Sequence, residues 1–137
     1  MPTRDPAVTT LVTQAPSLGT ARFEGVPYAL LCVMEPARVD ALPFGVVGLN
    51  PEGVVEVYNQ TEATLAGLKR DDVIGSHFFL SVAQCMNNFL VAQRLEDEDD
   101  VDAIVAYVLT FRMRPTPVRL RLLKQSGYSR RFVLIQR

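Results

Sequence analysis

The chain has 137 residues, 48% of them hydrophobic and 21% charged, with a formal net charge of -1 at pH 7. That balance fits one soluble globular domain and carries no charge excess to suggest nucleic acid as a partner. No apolar run approaches the ~20 residues of a membrane-spanning helix, no signal-peptide pattern opens the chain, and two cysteines with one histidine are too few for a disulfide framework or a zinc cluster. The expectation is a cytoplasmic protein with reduced thiols.

Residues 1–20, rich in Thr, Pro, Ala and Ser, lack a period and predict a loosely ordered arm. Pro27 to Asp40 predicts a short helix that Pro36 interrupts. Its apolar residues Val26, Leu30, Leu31, Met34 and Val39 suit a cap over a core, with Cys32 as a small buried hydrophobe. The domain division expected is 1–41 for arm and cap and 42–137 for the core.

Two β-branched runs follow, Phe44 to Leu49 and Val54 to Tyr58, separated by Asn50-Pro51-Glu52-Gly53. Pro at the second turn position and Gly where φ turns positive make this a β-hairpin. Asn59 is placed to cap a helix through Ala66, with Gly67 ending it. A second helix is expected over Lys69 to Val73. The apolar run Phe78 to Ala83 leads to Cys85. A longer helix from Asn87 or Asn88 would bury Phe89, Ala92 and Leu95. The run Glu96 to Asp102 carries six carboxylates, but its spacing and lack of glycine do not fit an EF-hand, so it predicts a solvated connector.

The remainder is β. Asp102 to Met113 alternates, with Ala103, Val105, Tyr107, Leu109, Phe111 and Met113 on the face expected to meet the core. Pro115 and Pro117 predict a turn, Val118, Leu120 and Leu122 alternate with Arg119 and Arg121 in a strand, and Phe132 to Ile135 closes the sheet. The late arginines, interleaved with apolar residues, have the pattern of solvated strand faces. Two strands, short helices and three strands predict an α+β fold on a five-stranded antiparallel sheet.

Three residues stand out for chemistry, and each alone has an ordinary explanation. Tyr58 ends a strand as an amphipathic core residue would. Glu62, four residues on, fits a solvated helix carboxylate. Cys85 fits a small buried hydrophobe. His77 has no spacing that favours a Cys–His dyad.

Together they match a family. The segments LPFGVVGLNPEGVVEVYN, Glu62 four residues after Tyr58, DDVIGSHFF, VAQC, and Tyr107 to Met113 followed by Arg114-Pro115-Thr116 resemble the photoactive yellow proteins, blue-light receptors with a PAS fold. The resemblance runs from Leu42 to Arg137. It implies a PAS sheet with short helices on one face and an N-terminal cap. It further implies p-coumaric acid (4-hydroxycinnamic acid) joined as a thioester to Cys85, with Tyr58 and Glu62 donating hydrogen bonds to its phenolate. Val47, Ala66, Leu68, Phe78, Val82, Ala83, Leu109, Phe111 and Met113 would line the pocket, Met113 at the position of the methionine associated with dark recovery.

What the resemblance implies is a sensor without catalytic turnover. It would signal through trans–cis isomerisation, proton transfer from a buried Glu and partial unfolding, to an unidentified downstream protein. Self-association as a homodimer is left open. A chromophore-free PAS module for protein interaction or metabolite sensing is the alternative, since the fold hosts many roles; a redox sensor at Cys85 would need a thiolate-stabilising neighbour. Three departures bear on the site. Ala66 stands where the best-known pattern has Thr, Leu68 where it has Arg, and Gln84 where it has Pro. Losing a hydroxyl and a cation predicts weaker phenolate stabilisation and a raised chromophore pKa.

Overall fold

The computed structural model describes residues 21–110 and 114–137. The expected arm and the pocket candidates Phe111 and Met113 lie outside the described residues. Five strands form one antiparallel sheet in the order β2-β1-β5-β4-β3, with β1 Gly45–Leu49, β2 Val55–Tyr58, β3 Val101–Leu109, β4 Thr116–Lys124 and β5 Arg131–Gln136. The last strand therefore runs between the first and the fourth. Val47 pairs with Tyr58 on one side and Val133 on the other.

The β1–β2 turn forms as its residues dictate. Gly53 has φ +85, and the Asn50 side chain accepts from the backbone of Glu52 and Val54. Helix α3, Gln60–Ala66, follows with Asn59 as its cap and Gly67 in the left-handed conformation as its stop. Helix α4 is Arg70–Val73, a π-helical turn spans Phe78–Val82, a 3-10 turn holds Gln84–Met86, and α5 is Ala92–Asp97. These pack on one face of the sheet, over Val47, Leu49, Leu120, Leu122, Val133 and Ile135.

The opposite face is covered from the other end of the chain. Ala21, Phe23, Val26, Tyr28, Leu31 and Val39 pack on Val46, Leu123, Phe132 and Leu134. Alternation along the strands explains the division, because Val46 and Val47 necessarily point to opposite faces. The segment carries two helices, α1 Tyr28–Val33 and α2 Pro36–Ala41. Pro36 does not merely interrupt the pattern. It begins the second helix, where its missing N–H costs nothing.

Several expectations are corrected. Cys32 is exposed rather than buried, since α1 turns Tyr28 and Leu31 inward. The long helix from Asn87 shrinks to α5, and Phe89 is 79% exposed; Asn88 instead accepts from the N–H groups of Leu90 and Val91 in a turn. Pro117 lies within β4 opposite Val108, beyond the reach of β5, so its absent N–H breaks no ladder there. Arg121 is not solvated: it is 4% exposed. Its guanidinium grips Asp102 through two hydrogen bonds and donates to the carbonyls of Phe23 and Val26. Asp102, where the expected connector and strand meet, lies in β3 and belongs to this clamp.

Candidate functional site

Tyr58 closes β2 and is buried in the helix-side core together with Val47, Phe78, Ala83 and Leu109. Val82 and Cys85 pack against that same cluster from the π-helical and 3-10 turns. Strand alternation puts Val47 and Leu109 on this face. The π-helical turn, with His77 accepting from the Leu80 N–H at its start, brings Phe78 inward and carries the chain to Cys85. Five of the expected pocket residues that are described therefore share one buried cluster or its edge with the thiol. Leu68 is exposed, and Ala66 is buried at the end of α3.

Cys85 is a free, half-buried thiol. Its backbone is held from β3: the Tyr107 hydroxyl donates to the Cys85 carbonyl, and Asn88 Nδ2 donates to that carbonyl and to Tyr107 Oη. Such anchoring fixes where the sulfur can reach while leaving it without a covalent partner.

Glu62 is placed by Asn59. The Asn59 Oδ1 accepts from the N–H groups of Val46 and Glu62, and its Nδ2 donates to the carbonyls of Val39 and Phe44. One buried side chain thereby ties β1, α2 and the first turn of α3 together with its full hydrogen-bonding capacity. The Glu62 carboxyl then lies against Gly45. A β-carbon on Gly45 would stand 2.1 Å from Glu62 Oε1, so only glycine leaves the space.

The carboxyl has a partner that sequence reading did not identify. Arg137, one residue beyond β5, donates from Nη1 to Oε1 at 2.7 Å and from Nη2 to Oε2 at 3.2 Å. Glu62 is 1% exposed and Arg137 17%. Burial raises the Glu62 carboxyl above its ordinary value, and the two guanidinium bonds oppose that rise. Burial also pushes the Tyr58 phenol well up, with the Glu62 charge adding to it and Arg137 opposing. Tyr58 therefore stays a protonated donor, and it lies within the electrostatic reach of both. No single signal near residue 137 announces this pairing, because the partners are 75 positions apart.

The chemistry available is specific. A thiol can be acylated, a buried phenol can donate, and a buried carboxyl can hold or release a proton. A phenol and a carboxyl at one end and a thiol on the same cluster form a donor set suited to a small group bearing an ionisable hydroxyl. Among the described residues no cluster of His, Cys, Asp or Glu suits a metal ion, and no helix is long and apolar enough to cross a membrane.

Comparison with known proteins bears on the whole arrangement. No protein-family model matches the chain. The photoactive yellow protein of Rhodothalassium salexigens is 33% identical over 92 residues, spanning 65% of this chain and 74% of that protein. The photoactive yellow protein of Rhodobacter capsulatus is 45% identical over 51 residues, 37% of this chain and 41% of the relative. Among solved structures, the photoactive yellow protein domain of the sensor histidine kinase Ppr from Rhodospirillum centenum superposes with a TM-score of 0.73 at 31% identity, covering 80% of this chain and 98% of that domain. The PAS domain of an HTR-like protein from Haloarcula marismortui, at 18% identity and a TM-score of 0.57, shares the fold.

Proposed function

The chain belongs to the photoactive yellow protein family, and from that membership we propose that it is a blue-light photoreceptor carrying p-coumaric acid as a thioester on Cys85. The observation that carries the reading is the packing of Cys85 on the same buried cluster as Tyr58, with Glu62 buried beside it. When bound, the p-coumaroyl group supplies visible absorption and light-driven trans–cis isomerisation. Cys85 holds it, with the Tyr107–Asn88 bonds to the Cys85 carbonyl fixing the attachment. Tyr58 donates to the phenol oxygen, and Glu62 holds a proton-exchanging carboxyl at the same end. Val47, Ala66, Phe78, Val82, Ala83 and Leu109 exclude water along the pocket, and Leu68 stands at its edge; the family resemblance assigns Phe111 and Met113, outside the described residues, to the same pocket.

Tyr58 and Glu62 lose their ligand contacts on isomerisation. A changed proton position in an apolar site then unsettles the packing around α3, which partial unfolding passes on. No turnover is involved. We assign sensing to residues 42–137 and an arm and cap to 1–41, a cytoplasmic location, and a downstream signalling protein as partner, in keeping with the histidine-kinase setting of the structural neighbour.

The test is acylation. Purified apoprotein incubated with an activated coumaroyl donor gains one coumaroyl mass, and peptide mapping puts it on Cys85. An adduct elsewhere, or one that survives Cys85→Ala, rejects the reading in favour of a chromophore-free PAS module.

A further inference from the structure

Arg131 opens β5, paired with Leu49 of β1. The arginines around it have carboxylate partners: Arg130 pairs with Glu56, Arg119 with Glu24 and Arg121 with Asp102. Among the described residues no carboxylate pairs with Arg131. Its Nη2 donates a long bond, 3.4 Å, to the Ser129 carbonyl, and its Nε is buried with no acceptor. A buried donor without an acceptor is costly, and a ligand that supplies the acceptor recovers that cost.

The guanidinium lines a groove of about 300 Å³ between the β1–β2 turn, the π-helical turn and α5. That is the lower end of the size range of small-molecule sites. Leu49, Phe79 and Leu95 give the groove a buried apolar floor. His77 supplies a second donor. Its Nδ1 accepts from the Leu80 N–H, so the neutral ring carries its proton on Nε2. That end lies beside Gly53, where a β-carbon would stand 2.7 Å from it. Glu52 and Glu96 line the exposed rim. None of the lining residues belongs to the coumaroyl pocket, so the groove stands apart from the proposed photoreceptor chemistry.

We propose that this groove binds a small monocarboxylate with an apolar body, its carboxylate accepting from Arg131 and its body lying on Phe79 and Leu95. A carboxylate matches the planar guanidinium and brings the acceptor that Nε lacks. The rim sets the charge limit. Glu52 and Glu96 are exposed, so water and salt screen their repulsion of one negative charge, whereas the buried Nε is not screened. A second negative charge on the ligand has no second arginine to meet and faces two carboxylates, which disfavours phosphates and dicarboxylates.

Phenylacetate is the probe, and the amide NMR shifts of the purified chain are the readout. The amides of Gly53, His77 and Arg131 are expected to move saturably below ~10 mM, the affinity a ligand of that size reaches. Inorganic phosphate is expected to leave them unmoved. Arg131→Met removes the unmet donor and keeps most of the side chain's length. It is expected to fold as stably as wild type and to weaken phenylacetate binding at least ~10-fold. Glu96→Gln, a change at the exposed rim, is expected to tighten binding a few-fold. Four results each overturn the proposal: no saturation in that range, shifts confined to Tyr58 and Ala83, phosphate binding as well as phenylacetate, or undiminished binding by Arg131→Met. If Arg131→Met does not fold, Glu96→Gln decides: tighter binding supports the proposal, and unchanged or weaker binding overturns it.

Discussion

The Glu62 carboxyl occupies the space that a side chain would fill at Gly45, its Oε1 standing 2.1 Å from where a β-carbon would be. The two residues belong to different elements, α3 and β1, so a functional carboxyl and a strand glycine constrain each other. Gly45→Ala must therefore push Glu62 off Arg137. The expected cost is about 1.5–3 kcal/mol, the worth of a charge-assisted hydrogen bond. In a Glu62→Ala background the same substitution should cost clearly less, and urea unfolding of the four proteins measures the difference. Equal costs in both backgrounds would show that the clash is relieved elsewhere.

Asn59 offers a second test. Asn59→Ala strips partners from two N–H groups and two carbonyls, at Val46, Glu62, Val39 and Phe44. A lost cap alone costs about 1 kcal/mol, and each stranded buried group adds about 1–3 kcal/mol. Destabilisation should reach at least ~3 kcal/mol on those figures. A loss near 1 kcal/mol would reduce Asn59 to an ordinary helix cap.

Arg121 holds residues 21–26 to the sheet. Arg121→Ala leaves the Phe23 and Val26 carbonyls without their donor, while Asp102, whose side chain is 62% exposed, can turn to water. The cost is therefore that of the two carbonyls, about 1–3 kcal/mol each, and not that of a stranded buried charge. Hydrogen exchange should quicken across residues 21–41 and stay unchanged in β1 and β2. Uniform quickening would mean that this segment is not a separately opening unit.

The pH dependence has a definite sign. Burial raises the Glu62 carboxyl in the fold despite Arg137, so the folded protein binds its proton more tightly than the unfolded chain, whose Glu titrates near ~4.3. The stability that Glu62 contributes is then fully present below that unfolded value and is lost as pH rises through the folded one. Against Glu62→Gln, which does not titrate, wild type should lose relative stability over that interval and level off above it. Denaturant midpoints followed from acid to neutral pH give the comparison. A relative gain for wild type with rising pH would mean that Arg137 outweighs burial.

Features governed by local chemistry were legible in the sequence. The cap Asn59 and stop Gly67 bound α3 where their side-chain and backbone preferences place them, and the Asn50–Gly53 turn forms for the same reason. The resemblance supplied the PAS topology; of the pocket residues it named, Val47, Phe78, Val82, Ala83 and Leu109 lie in or against the cluster of Tyr58, whereas Ala66 and Leu68 do not. Other features depend on what covers a surface. Alternation assigns Arg121 to a face, but only the packing of residues 21–26 makes that face an interior. Phe89 matched a helical period that runs through a turn held by Asn88. Arg137 carries no local mark at all, since its meaning comes from Glu62 across the sheet.

The central claim is that light acts on a group held at Cys85 against Tyr58 and Glu62. The most direct measurement is the absorbance of coumaroyl-loaded protein before, during and after a blue-light pulse. The account predicts a band that bleaches under the pulse and returns in the dark, with kinetics altered by Glu62→Gln and no band at all in Cys85→Ala. A loaded, folded protein whose absorbance is indifferent to light would contradict it.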